Sequence, residues 1–169
     1  MEENSINIQH EIIEITADTL KSSRVLQLVW NVFEEFEAYQ CSAKGVREFQ
    51  NFIEGSSIEK LLGNSEMIMW GSFYNGEIIG AIAAKSPNHI SLLFVDKKYH
   101  RRGIARALYQ KFIEYSKKDN CSEISVNSSL YAVEAYKRLG FVATDTEQEH
   151  ENGIRFVPMK HKLHCQEMI

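Results

Sequence analysis

The chain has 169 residues, of which 44% are hydrophobic and 25% charged, with a net charge of −4. That is the balance of one folded domain and excludes a disordered polymer, a fibrous repeat or a natural partner for a polyanion such as duplex DNA. The longest apolar run, 78–84, falls far short of the ~20 residues that span a bilayer, so no membrane segment is expected. Met1-Glu2-Glu3-Asn4 lacks the basic start and apolar stretch of a secretory signal. Cys41, Cys121 and Cys165 are too irregularly spaced for a disulfide framework or paired zinc knuckles. A cytoplasmic address, reduced thiols and no metal are the expectation.

Residues 10–16 have the β-branched content of a strand, and Asp18 offers a side-chain oxygen to cap a following helix. Val25, Leu28, Val29, Val32, Phe33 and Phe36 recur at the helical period and predict a core-facing stripe. Val46, Phe49, Phe52 and Ile53 predict a second short helix, and 58–62 a third helical turn. The texture changes at Glu66: 67–74 reads as a strand, Asn75-Gly76 as a hairpin turn and 78–84 as the returning strand. After the Pro87-Asn88 turn, 89–95 makes a third strand, so an antiparallel meander is expected. Ile104, Ala107, Leu108, Phe112 and Tyr115 keep one helical face apolar as far as Lys118. A strand over 123–127, a helix over 130–139, a strand from Phe141 and a last strand over 154–161 complete the chain. Early hairpins and late strand-helix-strand alternation point to an α/β protein, a mixed sheet with helices on both faces, in a single domain over 1–169.

Five of the 19 basic residues, Lys97, Lys98, Arg101, Arg102 and Arg106, crowd into positions 97–106 with no acid among them. Alone, such a run reads as a solvated loop. Here it links a strand to a helix, and the first turn of a helix carries N–H groups without intrahelical partners, where an anion is stabilised. Gly103 and Ala105 leave that backbone open to close approach, and the arginines add attraction and bidentate contacts. A phosphate cradle is therefore the expectation, but neither Gly-x-x-x-x-Gly-Lys-Ser/Thr nor Gly-x-Gly-x-x-Gly occurs, which removes the usual nucleotide signatures.

The segment His100-Arg101-Arg102-Gly103-Ile104-Ala105 resembles the Gln/Arg-x-x-Gly-x-Gly/Ala motif of the GNAT superfamily of N-acetyltransferases, with His100 in place of Gln or Arg. The later stretch from Asn127 through Ala132 and Tyr136 to Gly140-Phe141 resembles that superfamily's second motif, in the right order about 25 residues on. This resemblance implies a central mixed, mainly antiparallel sheet of about seven strands with helices on both faces. It implies acetyl-CoA as cosubstrate and an amine acceptor, small molecule or protein, with a homodimer as a common assembly. By the same resemblance, Arg101, Arg102, Gly103, Ile104, Ala105 and Arg106 hold the pyrophosphate, Phe94 and Val95 offer backbone to the pantetheine arm, and Asn127 hydrogen-bonds that arm. An amide near Val95 polarises the thioester carbonyl, and Tyr136 contacts the donor and protonates the departing thiolate.

Tyr136 also fits a plain packing role, three residues after Val133 and three before Leu139. For the base, Glu34, Glu35 and Glu37 lie on the polar side of the first long helix, where solvated carboxylates are the ordinary finding, and His89 or a water chain are alternatives. His161, His164 and Cys165 are interleaved with lysines and do not read as a metal site. Trp30 and Trp70 read as core or pocket walls. Two rival functions remain, a coenzyme-binding sensor without catalysis and a module for nucleic-acid phosphates. An acidic chain without aromatic-basic interleaving on a sheet disfavours the second, so no nucleic-acid partner is expected.

Overall fold

The computed structural model describes residues 8–85 and 87–164, so the expectations for the N-terminal leader and for Cys165 lie outside the described residues. Its elements run β1 (Glu11–Glu14), α1 (Leu20–Ser23), α2 (Val25–Phe36), α3 (Ala43–Glu54), α4 (Ser57–Gly63), β2 (Met67–Tyr74), β3 (Glu77–Lys85) and β4 (His89–Val95). They continue with α5 (Ile104–Lys118), β5 (Glu123–Ser128), α6 (Val133–Arg138), β6 (Val142–Ala143), β7 (Gln148–Glu149) and β8 (Arg155–Lys162). One sheet has the order β1-β2-β3-β4-β5-β8-β6, with β7 paired to β8. Among the described residues only β4 and β5 run parallel; every other pair is antiparallel.

The apolar stripe on α2 buries Val25, Leu28, Val29, Val32 and Phe33 against one face of the sheet, in a cluster that includes Met69, Ala81 and Phe94. On the other face, Ile104, Leu108, Tyr109 and Phe112 of α5 pack with Ile82, Ile124 and Met159. Two cores, one per face, follow from the strand period of two: alternate residues of β3 serve opposite layers.

Three details differ from the periodicity. The first helix does not start from an Asp18 cap; Thr19 takes the N-cap position without a side-chain bond. Arg24 adopts φ 60 and splits that helix into α1 and α2. The predicted helix over 130–139 shortens to 133–138, because Ser129 to Ala132 form a tight turn in which the Ala132 N–H donates to the Ser129 carbonyl and hydroxyl.

Candidate active site

The site begins where the parallel pair separates. β4 and β5 are joined only at His89 with Ser125 and Ile90 with Val126. Ser91 is an extra residue in β4, because Ile90 and Leu92 oppose the adjacent Ala84 and Ala83 of β3. A bulge bends and twists its strand, and β4 parts from β5 at this point. From 91 to 95 its outer edge faces open space, roughly 16 Å at 3.3 Å per residue.

Register decides which main-chain groups point into that opening. The Asp96 N–H donates to the Ile79 carbonyl at 2.8 Å, which makes 79 and 96 a hydrogen-bonded pair. By antiparallel alternation, Ala81 with Phe94 and Ala83 with Leu92 are also hydrogen-bonded pairs. Phe94 therefore aims its N–H and C=O at β3, while Leu93 and Val95 aim theirs outward. Leu93, which the motif does not single out, lines the cleft together with Phe94 and Val95.

A cleft of about 660 Å³ runs from this edge to the start of α5. Gly103 is the N-cap of α5 with φ +80, and a Cβ there would meet no protein atom within 4 Å. The helix has no side-chain cap, and its first turn closes with the Ala107 N–H donating to Gly103. The amides of Ile104, Ala105 and Arg106 are thus left at the cleft wall, at the positive end of the helix dipole. Arg101 also lines the cleft, with φ 58. Arg106 donates to the Arg138 carbonyl at 3.0 Å and ties α5 to the end of α6. The guanidinium of Arg102 lies 5.8 Å from the centre of the Tyr99 ring; Tyr99 lines the cleft and Arg102 does not.

His100, the substituted first residue of the motif, lies with Nε2 2.7 Å from the Val95 carbonyl. A carbonyl only accepts, so Nε2 carries the proton and the bond folds the loop back on β4. The Val95 N–H stays on the outward edge of β4. Phe36 covers this region, stacked on Tyr131 at 5.1 Å and 5.4 Å from His100.

Tyr136 is 6% exposed and lines the cleft. Its ring meets Phe141 edge-on at 5.3 Å. Behind it the chain turns at Gly140, φ +107, where a Cβ would lie 2.7 Å from Nε2 of His161. His161 is itself held by the Tyr109 hydroxyl at 2.6 Å. Every buried side-chain polar atom among the described residues has a partner. The Tyr136 hydroxyl has no such partner, so it must be open to the cleft. Burial, the charge of Glu37 and the neighbouring Tyr109 all push its phenol above the ordinary range.

The three acids of the α2 end part company. Glu34 and Glu35 are exposed, and Glu35 pairs with Lys97 at 2.6 Å. Glu37 is partly exposed and lines the cleft, and its partial burial pushes the carboxyl up while the Ser129 hydroxyl acts the other way. His89 sits at the closed base of the fork, bonded to Ser125 at 2.8 Å, outside the cleft lining. Asn127 is exposed on β5 and also lies outside the lining.

A forked parallel pair, an open strand edge and an uncapped helix start beside a buried phenol together describe the fold of an acyl-CoA-type acetyltransferase. The family described as "Acetyltransferase (GNAT) domain" matches residues 37–163, and the chain belongs to that family. It is 30% identical over 104 residues to the uncharacterized N-acetyltransferase YafP of Escherichia coli (strain K12), a match covering 62% of this chain and 64% of that one. It is 31% identical over 81 residues to the N-alpha-acetyltransferase MAK3 of Arabidopsis thaliana, covering 42% and 43%. The chain thus spans less than two thirds of the length of the curated relatives it matches. Among solved structures it is similar to the PaiA N-acetyltransferase of Thermoplasma acidophilum in complex with coenzyme A. That likeness has a TM-score of 0.76 at 16% identity, over 92% of this chain and all of the other, and it shows the fold alone. No helix among the described residues is long and apolar enough to cross a membrane.

Proposed function

We propose that this protein is an N-acetyltransferase that moves an acetyl group from acetyl-CoA to a primary amine by direct attack, with both substrates bound. The observation that carries the reading is the continuity of one cleft from the uncapped start of α5, along the open edge of β4, to the Tyr136 hydroxyl. The residues fit the coenzyme. A diphosphate finds free amides at 104–106 with Arg101 and Arg106 beside them. The pantetheine amides find the outward main chain of Leu93 and Val95, as an added strand would.

Acetyl-CoA supplies the activated acyl group; the protein supplies placement and charge. The free Val95 N–H donates to the thioester oxygen as negative charge develops there. Tyr136 gives its proton to the departing sulfur, a transfer that proximity favours although a phenol is by nature the weaker acid. Acetyl-CoA-dependent thiol release over a panel of amines, paired with calorimetry of coenzyme A, tests the reading. Calorimetry without binding at millimolar coenzyme would refute it.

A further inference from the structure

Glu37 closes α2, with its N–H donating to the Phe33 carbonyl at 2.9 Å. Its carboxyl therefore stands at the negative end of a twelve-residue helix, where an anion is disfavoured and a cation favoured. Among the described residues, the acids in ion pairs are Glu35, Glu134, Glu147 and Glu123, and Glu37 is not one of them. A partly buried carboxylate without an ion-pair partner, at a helix end that disfavours its charge, is held at a cost to stability. It lines the same cleft as Tyr136.

We infer that Glu37 binds the ammonium group of the acceptor and takes its proton, which selects for amines that are alkylammonium ions at neutral pH. This rests on the acetyl transfer proposed above and names its base and substrate class. The Glu37 carboxylate accepts one proton from R–NH3+, and the freed lone pair forms the C–N bond to the acetyl carbon. The C–S bond breaks with its electron pair on sulfur, which takes the Tyr136 proton. Tyr136 recovers a proton from the nitrogen now bonded to the acetyl group, and Glu37 releases its own to water. Two protons leave the ammonium: one appears on the coenzyme thiol and one in solvent.

The electrostatics couple the two residues in the useful order. Glu37 is faced by Tyr136 of α6, Ser129 of the turn after β5 and Cys41 of the segment after α2. While Glu37 is ionised, its charge holds the proton on Tyr136. Once Glu37 has taken the ammonium proton that restraint is gone, and Tyr136 becomes the stronger acid as the thiolate departs.

The test compares Glu37→Gln with the wild type on benzylamine, a cation at neutral pH, and aniline, which is neutral there. We expect kcat/KM for benzylamine to fall about 100-fold, that for aniline to change less than about threefold, and Glu37→Asp to restore part of the loss. The benzylamine deficit shrinks as pH rises and solvent deprotonates the amine. In calorimetry on the coenzyme A complex, benzylammonium binding weakens at least about tenfold in the variant. The thermal midpoint stays equal or rises, because a buried charge is removed. Equal losses on both amines, no loss on benzylamine, or no benzylammonium binding to the wild-type complex would overturn the inference. Failure of the wild type to bind acetyl-CoA would instead remove the acetyl-transfer reading beneath it, and acetyl-CoA affinity measured in both proteins tells the two failures apart.

Discussion

Tyr136→Phe deletes one oxygen from a site whose geometry sets the result. The phenol is 6% exposed, packed edge-on against Phe141 at 5.3 Å, and lines the cleft. A buried hydroxyl without a partner costs about 1–3 kcal/mol. Partial access to the cleft lowers that cost, so we expect Phe to stabilise the fold by up to about 1 kcal/mol, a rise of about 2–4 °C in midpoint for a chain of this size. The ring is kept, so calorimetry should give an acetyl-CoA affinity within about twofold of the wild type. Turnover should fall about 100-fold, the lower end of general-acid catalysis. The assay is thiol release at saturating donor, with the midpoint by scanning calorimetry. Turnover within about threefold of the wild type would refute the acid role, and a lower midpoint would refute the unpartnered hydroxyl.

Gly103→Ala forces an L side chain to φ +80 and should cost about 1–2 kcal/mol. Because Gly103 lines the cleft and an added Cβ would meet no protein atom there, coenzyme A affinity should also drop at least about tenfold, measured by calorimetry, whereas pure strain would lower stability alone. Gly140→Ala combines φ +107 with a contact 2.7 Å from His161, so thermal denaturation should show a loss of about 2 kcal/mol, or about 4–8 °C. Acid should weaken the fold through His89 and His161. Burial holds both imidazoles below their ordinary value of 6.5, so the unfolded chain takes up protons first and stability falls as pH drops below 6.5. Glu37, pushed upward, works in the opposite sense, so urea midpoints between pH 7.5 and 5 should fall more steeply in Glu37→Gln than in the wild type. An equal slope in the two proteins would count against the upward shift of the Glu37 carboxyl.

Much of the fold was legible in the chain, because local rules and burial agreed. The stripe from Val25 to Phe36 and the Asn75-Gly76 turn are local signals, and the helix and hairpin stand where these placed them. So are Gly103 and the basic run beside it: a glycine before an apolar-periodic segment marks a helix start with no side-chain cap, and the structure has Gly103 at the N-cap of α5. Tertiary structure decided what depends on neighbours far apart in sequence. Strand register, fixed by the Ser91 bulge and the bond from Asp96 to Ile79, sends the main chain of Leu93 and Val95 to the opening and that of Phe94 to β3. Of three adjacent acids with equal claims, only Glu37 is carried past the last turn of α2 into the cleft beside Tyr136, while Glu35 swings out to Lys97. Helical periodicity specifies which face of α2 is apolar, but the cleft lies at its end, where the period stops and packing against the turn after β5 determines which way a side chain points.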